Sequence, residues 1–245
     1  MGYRYCILFP HARAALRHWS DLTKEIITLP SNICPEVWRS IPRVKLSCVY
    51  PETGLTNEPV QMYGYRVRYV ECPLEIDPLM TGWMGQPFAE STVISFGPGK
   101  TIDVGAGGAI LTQDYWLARR LVGKSYFPLG LEIPLWRALE ALPETINRKR
   151  DHEEIWNRAL GNLGVRIPLK PVIPWRHVRR FPRKRDEIVM NLRSAGFNAG
   201  TNYPPLPGFC ELSSLKWGKE VCNLWADDKA DIWRMADIIK GTLAE

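Results

Sequence analysis

The stretch Ser91-Thr92-Val93-Ile94-Ser95-Phe96-Gly97-Pro98-Gly99-Lys100 is a β-forming run that ends on a lysine bracketed by glycines. A Gly-rich turn, Gly105 to Gly108, and a second apolar run, Ala109 to Thr112, follow it. The pattern predicts two buried strands with Lys100 in their connection. A lysine in that place is poorly positioned as a solvated charge. It is well positioned as an amine nucleophile that forms a Schiff base.

Two other interpretations of this lysine remain open on the residues alone. Gly99-Lys100-Thr101 is similar to the end of a phosphate-binding loop. That motif needs a glycine five positions before Gly99, where this chain has Ile94. The second interpretation is a hairpin lysine with no catalytic role.

Length and composition are those of a globular protein. The 245 residues are 45% hydrophobic and 24% charged, which suits one large or two modest domains. No apolar run approaches the ~20 residues of a membrane span, and the N-terminus lacks the apolar stretch of a secretory signal. The six cysteines include no Cys-x-x-Cys pair. We therefore predict a cytoplasmic protein with reduced thiols, no membrane association and no metal site.

The net charge of +6 comes largely from one basic run in the C-terminal half. Clustered cations with interleaved aromatics can bind nucleic acid, or they can steer a small anionic substrate. The interpretation that we favour is a solvated strand and helix start, and we do not expect a nucleic-acid partner. The run comprises Arg176, Arg179, Arg180, Arg183, Lys184 and Arg185.

The order of predicted elements indicates two units. Helices alternate with short apolar strands up to about residue 130, including a strand at Val67–Val70 and then a loop around Pro73. This alternation predicts an α/β domain with a mostly parallel sheet over residues 1–130. Linking helices and a smaller α+β domain are predicted over residues 131–245, with strands near 172–180 and 197–203. The boundary is expected between Tyr126 and Ile146.

The lysine segment carries a family resemblance. Ser95-Phe96-x-x-x-Lys100, followed by Gly-x-Gly-Gly and a small apolar strand, resembles the pyridoxal-phosphate lysine segment of DegT-type nucleotide-sugar aminotransferases. These enzymes have the aspartate-aminotransferase fold, also called fold type I. The resemblance covers most of the chain, which would be a shortened and divergent member. It implies pyridoxal 5'-phosphate as cofactor and a homodimer with the active site at its interface.

The resemblance also assigns roles to residues around the cofactor. Lys100 would bind it covalently. Glu71 lies 29 positions before Lys100, at a position where the family has Asp. It would keep the pyridine nitrogen of the cofactor protonated. Ala12 and Arg13 match the helix start that binds the phosphate, and Ser95 matches a serine that reaches it. Glu71, Arg13 and Ser95 also have ordinary structural interpretations: a surface acid at a strand end, an exposed helix residue and an inward-packed strand residue.

Other matched positions depart from the family pattern. Cys34 lies where many members stack an aromatic residue on the ring, and Leu74 where many have Gln. Both are expected to line the cofactor pocket. Tyr50 ends a strand that the family places near the active site, and Tyr203 follows a segment that often contacts the substrate. Both tyrosines are expected on the substrate side.

The resemblance implies amino transfer from an amino donor to a keto-sugar that is linked to a nucleotide. The strand that the family usually inserts between Ile41 and Val44 is missing. That loss, with the departures at Glu71, Cys34 and Leu74, favours an alternative: a catalytically silent protein of the same fold that binds a ligand or partner. A third alternative is pyridoxal-phosphate chemistry on a polymeric anionic substrate.

Overall fold

The computed structural model describes residues 3–24, 26–30, 34–47, 72–76, 89–166, 176–201, 218–226 and 228–244. Its N-terminal part contains β1 (Tyr5–Phe9), α1 (Ala12–Thr23), β2 (Ile27–Pro30), α2 (Pro35–Trp38), β3 (Val44–Ser47), β4 (Cys72–Ile76), β5 (Ala89–Ser95), β6 (Gly108–Thr112) and α3 (Tyr115–Val122). Its C-terminal part contains α4 (Glu132–Glu140), α5 (Leu142–Leu160), β7 (Val165–Arg166), β8 (His177–Arg180), α6 (Arg185–Ser194), β9 (Asn198–Gly200), β10 (Val221–Trp225) and α7 (Lys229–Ala244).

The first sheet has the strand order β1-β6-β5-β4. β6 runs antiparallel to both β1 and β5, whereas β4 is parallel to β5. Strands β1, β5 and β4 therefore point the same way, and β6 alone is reversed. This confirms the predicted mostly parallel sheet. In addition, β2 pairs in parallel with β3, and α2 connects them.

Helices cover both faces of this sheet. Successive side chains of a strand point to opposite faces, so the continuous apolar runs of β5 and β6 need a covering layer on each face. Val93 and Ile110 face a core built with α1 and α3. Their chain neighbours Ile94 and Leu111 face a second core built with α4 and the first turns of α5. The sheet is thus the middle layer of three, which is the predicted α/β architecture.

A second sheet, in the order β7-β8-β10-β9, is antiparallel throughout. It packs with α6, α7 and the C-terminal half of α5 in a third core that includes Ile155, Trp156 and Leu192. This is the predicted smaller α+β unit. Because the two halves of α5 pack in different cores, the boundary at residue 130 stays a prediction.

One predicted loop is a strand. The sequence indicates a loop around Pro73, but Cys72–Ile76 forms β4 and pairs with β5 in the register Cys72↔Ala89 to Ile76↔Val93. In the order of the described strands β4 lies at the sheet edge, where a proline costs no ladder hydrogen bond on its open side. The predicted strand Val67–Val70 lies outside the described residues.

The first three cations of the basic run do not form the solvated surface that we favoured. Arg176, Arg179 and Arg180 are all at least 92% buried. Arg179 donates from Nη1 to the carbonyls of Gly161 and Leu163, at 3.0 and 2.7 Å, and so closes the C-terminal end of α5. These three cations therefore serve contacts inside the smaller unit, whereas Arg183 is exposed.

Within the described part of the chain, no helix is both long and apolar enough to cross a bilayer. Among the described cysteines, Cys6, Cys34 and Cys222 are free thiols. Burial raises the pKa of the Cys222 thiol to about 12, so this residue stays protonated and acts in packing.

Candidate active site

Lys100 is presented by a short, well-anchored turn. β5 ends at Ser95, and the amide of Lys100 donates to the carbonyl of Gly97 at 3.2 Å. Gly99 takes a φ of +75°, a conformation that favours glycine. Phe96 and Ile102 on either side are buried in the core below the sheet. Lys100 itself is half-buried, so the turn holds its backbone while the side chain stays within reach of a cleft.

Asp103 fixes the shape of this turn. Its Oδ2 accepts a hydrogen bond from the amide of Gly99 at 2.5 Å, and its Oδ1 accepts one from the amide of Gly105 at 2.9 Å. One carboxylate therefore bridges the backbone on both sides of Lys100. The sequence analysis missed this residue. The signal was present, because an Asp two residues before a glycine is typical of an Asx-turn.

The glycines after Lys100 bring the start of α1 against the sheet. Gly107 adopts a φ of +100°, and its amide donates to the carbonyl of Pro10 at 2.9 Å. A Cβ on Gly108 would lie 2.6 Å from the amide nitrogen of Ala12 and 2.9 Å from the carbonyl oxygen of Ile94. Gly108 also pairs with Ser95 across the sheet. Ala12 and Ser95 are thus brought together around Gly108, at the end of β5 that leads to Lys100.

This close approach predicts an effect for Gly108→Ala. The new methyl group would meet backbone atoms that cannot rotate away, so we expect a loss of about 1–3 kcal/mol in the free energy of unfolding, together with weaker cofactor binding at α1. Gly241→Ala is the matched control. No atom lies within 4 Å of a Cβ there, and replacing a helical glycine should gain about 0.5–1 kcal/mol. Denaturant unfolding measures both, and equal stabilities would contradict the tight contact.

The first turn of α1 suits an anion. It contains no acidic residue, and His11 caps it by accepting a hydrogen bond at Nδ1 from the amide of Ala14 at 3.0 Å. The positive end of a helix attracts negative charge. Arg13, predicted to bind phosphate, donates from Nη1 to Glu36 Oε2 at 2.5 Å. A phosphate would have to compete with Glu36 for this guanidinium, so the role of Arg13 stays a prediction.

The remaining predicted residues are less constrained. Cys34 occupies the N-cap position of α2 and packs half-buried against the core of α1 and α3. Leu74 pairs through its backbone register with Ser91. Glu71, Tyr50 and Tyr203 lie outside the described residues. Their roles, and those of Cys34 and Leu74, stay predictions.

A cleft adjoins the lysine turn on the side of the smaller unit. Its volume is about 440 Å³, within the range of ligand sites. Pro98 and Gly99 form one wall. The other wall is formed by Gly196, Phe197, Asn198, Trp225, Ala226 and Asp231. Pro98 and Gly99 immediately precede Lys100, so the cleft borders the turn that carries this lysine.

The phosphate-loop interpretation fails on this geometry. In that motif a helix begins at the lysine, but residues 101–107 form no helix and lead directly into β6. Among the described residues, no three His, Cys, Asp or Glu side chains are grouped as metal ligands.

Solved structures share this arrangement over nearly the whole chain. PseC of Helicobacter pylori, an aminotransferase of pseudoaminic acid biosynthesis, superimposes with a TM-score of 0.79 at 15% identity, covering 100% of this chain and 88% of that one. DesI, solved with its TDP-sugar product, gives 0.77 at 18% identity, covering 98% and 80%. A DegT/DnrJ/EryC1/StrS aminotransferase from Brucella abortus gives 0.75 at 16% identity, covering 100% and 87%.

The chain has the fold of the DegT-type sugar aminotransferases. This is fold type I of the pyridoxal-phosphate enzymes, as the lysine segment predicted. No family model and no curated protein sequence matches the chain. The likeness is therefore one of fold at low sequence identity, which agrees with a shortened and divergent chain.

Proposed function

We propose that the protein is a pyridoxal-phosphate-dependent aminotransferase that moves an amino group from an amino donor to a nucleotide-linked keto-sugar. The observation that carries this proposal is the position of Lys100. It follows the carboxyl end of a central strand, in a turn clamped by Asp103 and beside the start of α1. The fold shared with sugar aminotransferases supports the reaction class. The TDP-sugar product in the DesI structure supports a nucleotide-linked substrate.

The residues around Gly108 fit the phosphate of this cofactor. The absence of a Cβ at Gly108 lets the start of α1 lie against the sheet, and the first turn of that helix has no acidic side chain. Ala12 and Ser95, with Arg13 if it leaves Glu36, would hold the phosphate at this point. When bound, the cofactor supplies an electron sink for the carbon that carries the amino group.

Lys100 would act both as nucleophile and as proton carrier. Its amine would hold the cofactor covalently, and once an amino donor has displaced it, the freed amine would act as the general base for the proton shift at the donor carbon. Asp103 keeps the backbone fixed during this exchange, since it holds an amide on each side of the lysine. We propose that Glu71 pairs with the ring nitrogen, that Cys34 and Leu74 line the pocket, and that Tyr50 and Tyr203 contact the substrate.

The test uses the purified full chain mixed with pyridoxal phosphate. We expect a visible absorbance band from the lysine-bound cofactor, and glutamate or glutamine should bleach it as the amino group is transferred. A nucleotide-linked keto-sugar added next should restore the band and yield an aminated sugar, detected by mass spectrometry. A band that no amino donor changes would contradict the aminotransferase proposal.

The alternative is a protein of this fold that binds a ligand without amino transfer. The ion pair of Arg13 with Glu36 favours it, because that pair occupies a side chain predicted to bind phosphate. The same titration separates the two functions. A silent binder gives no donor-dependent change, whatever its absorbance with cofactor.

We also propose a homodimer, because apolar side chains are exposed on α3, on α4 and in the connection between these helices. Phe127, within this segment, packs on Phe96 beside the lysine turn with ring centroids 6.5 Å apart. A second copy that covers the segment would therefore border the site. Exposed apolar surface of this kind marks interfaces. The exposed residues are Tyr115, Trp116, Val122, Tyr126, Leu129, Ile133 and Trp136.

Sedimentation velocity tests the dimer. We expect wild type to sediment as a dimer and Leu129→Glu, at a residue that is 96% exposed, to sediment as a monomer, since a buried carboxylate without a partner is costly. Trp233→Glu, at an exposed tryptophan of α7, is the matched control and should remain dimeric. A monomeric wild type would contradict the proposal.

A further inference from the structure

A groove of about 480 Å³ lies between the first turns of α1 and the helix α2. Its described lining carries more positive than negative charge, because three guanidinium groups and two imidazoles accompany a single carboxylate. A concave surface of this kind attracts anions. The charged and titratable residues of the lining are His11, Arg13, Arg17, His18, Glu36 and Arg39.

The carboxylate of Glu36 is shared by two of these arginines. Its Oε2 accepts the hydrogen bond from Arg13 Nη1 at 2.5 Å, and its Oε1 lies 3.7 Å from Arg39 Nη1. Each carboxylate oxygen therefore has a guanidinium of its own, one from α1 and one from the end of α2. If Arg13 turned away, Glu36 would keep its pair with Arg39.

The pair of Arg13 with Glu36 is easily broken. The Arg13 side chain is 57% exposed and that of Glu36 is 45% exposed, and ion pairs in contact with water contribute little to stability. A phosphate group carries more negative charge than a carboxylate and accepts two parallel hydrogen bonds from one guanidinium. A phosphate beside the start of α1 can therefore replace Glu36 as the partner of Arg13.

The other members of this arrangement are held in place. Ser40 Oγ donates to the carbonyl of Glu36 at 2.6 Å, and Val37 and Trp38 pack against the core of α1 and α3. The guanidinium of Arg39 also lies 5.7 Å from the ring centroid of Trp38. The backbone of α2 is thus anchored, and an exchange of partners by Arg13 needs only side-chain rotation.

We propose, on the basis of the function proposed above, that Glu36 and Arg39 are positioning residues for the cofactor phosphate. Glu36 holds Arg13 away from the phosphate, and Arg39 eases the release of Arg13 by keeping Glu36 paired. Neither residue touches the phosphate itself. The affinity of the protein for a phosphate-bearing ligand then depends on both residues through Arg13.

The experiment is titration of the full chain with pyridoxal phosphate and, separately, with pyridoxal, which lacks the phosphate group. The ratio of the two Kd values isolates the phosphate contact. Calorimetric titration with inorganic phosphate repeats the measurement without the aldehyde. Low ionic strength is needed, because salt screens exposed charges. The variants are Glu36→Gln, Arg39→Gln and the double variant. Arg43→Gln is the control, since Arg43 is exposed and is not among the described lining residues.

We expect Glu36→Gln to lower the Kd of both phosphate ligands about two- to fivefold, the factor that an exposed ion pair can supply. Arg39→Gln should raise it by a similar factor, because Glu36 then has only Arg13 as partner. In the Glu36→Gln background, Arg39→Gln should have no effect, since no carboxylate is left to hold Arg13. The Kd of pyridoxal should not change in any variant, and Arg43→Gln should behave as wild type.

A Kd for pyridoxal phosphate that is unchanged in Glu36→Gln would overturn the proposal. An effect of Arg39→Gln that persists in the Glu36→Gln background would overturn it too, because Arg39 would then attract the phosphate directly. These results are separate from the test of amino transfer. A protein that binds pyridoxal phosphate as expected here, but whose absorbance no amino donor changes, would contradict the aminotransferase function alone.

Discussion

Lys100→Ala is expected to abolish amino transfer and the visible band of the bound cofactor. The variant loses the amine that joins the cofactor and the group that moves the proton. Loss of a general base alone costs about 10²–10⁴-fold in rate, and loss of the covalent link adds to this. Single-turnover assays with an amino donor measure the effect. The fold should persist, because Lys100 is half-buried in a turn whose backbone is held by Asp103.

Two further variants show whether the loss is specific to the amine of Lys100. Lys124→Ala removes an exposed lysine after α3 and should leave the band and the rate unchanged. Lys100→Arg keeps a positive charge but not a nucleophilic amine, so it should behave as Lys100→Ala does. Retained amino transfer in either Lys100 variant would show that another residue carries the chemistry.

Glu220→Gln is expected to destabilise the smaller unit by about 3–5 kcal/mol. Glu220 Oε2 accepts hydrogen bonds from Arg180 Nε and Nη2 at 3.0 and 2.7 Å, and both side chains are 10% exposed. The substitution removes the negative charge of Glu220 while the guanidinium of Arg180 stays buried beside it.

Chemical denaturation measures this loss. Asp237→Asn is the control, since its pair with Lys240 is exposed and such pairs contribute at most about 1 kcal/mol. The double variant Arg180→Met/Glu220→Leu should recover most of the stability, because it leaves no unpaired charge. A loss below about 1 kcal/mol in Glu220→Gln would show that Arg180 is solvated in the folded protein.

The features that could be predicted from the sequence are those encoded locally. The strand, lysine turn and strand at 91–112 were predicted because β-forming residues and glycines follow one another in the chain. The resemblance implied a helix start at Ala12 and Arg13, and α1 begins at Ala12 with His11 as its N-cap. Asp103 was predictable on the same basis, since its partners are two and four residues away.

The features that were missed depend on distant partners. From the sequence alone Arg179 and Arg180 are predicted to be solvated. Arg179 is instead buried by its hydrogen bond to the carbonyl of Gly161, and Arg180 by its ion pair with Glu220. The segment of β4 contains a proline and was predicted to be a loop. It forms a strand because it pairs in parallel with β5. The assignment of Glu71 assumed a match without gaps and stays a prediction, because Glu71 lies outside the described residues.

Borohydride reduction of the protein mixed with pyridoxal phosphate tests the central claim most directly. Reduction fixes the cofactor on the lysine that bound it, and peptide mass spectrometry then locates it. We predict one modified lysine, Lys100, at about one cofactor per chain, and none in Lys100→Ala. Modification spread over exposed lysines, or a single label at another lysine such as Lys149, would contradict the assignment of Lys100 as the catalytic amine.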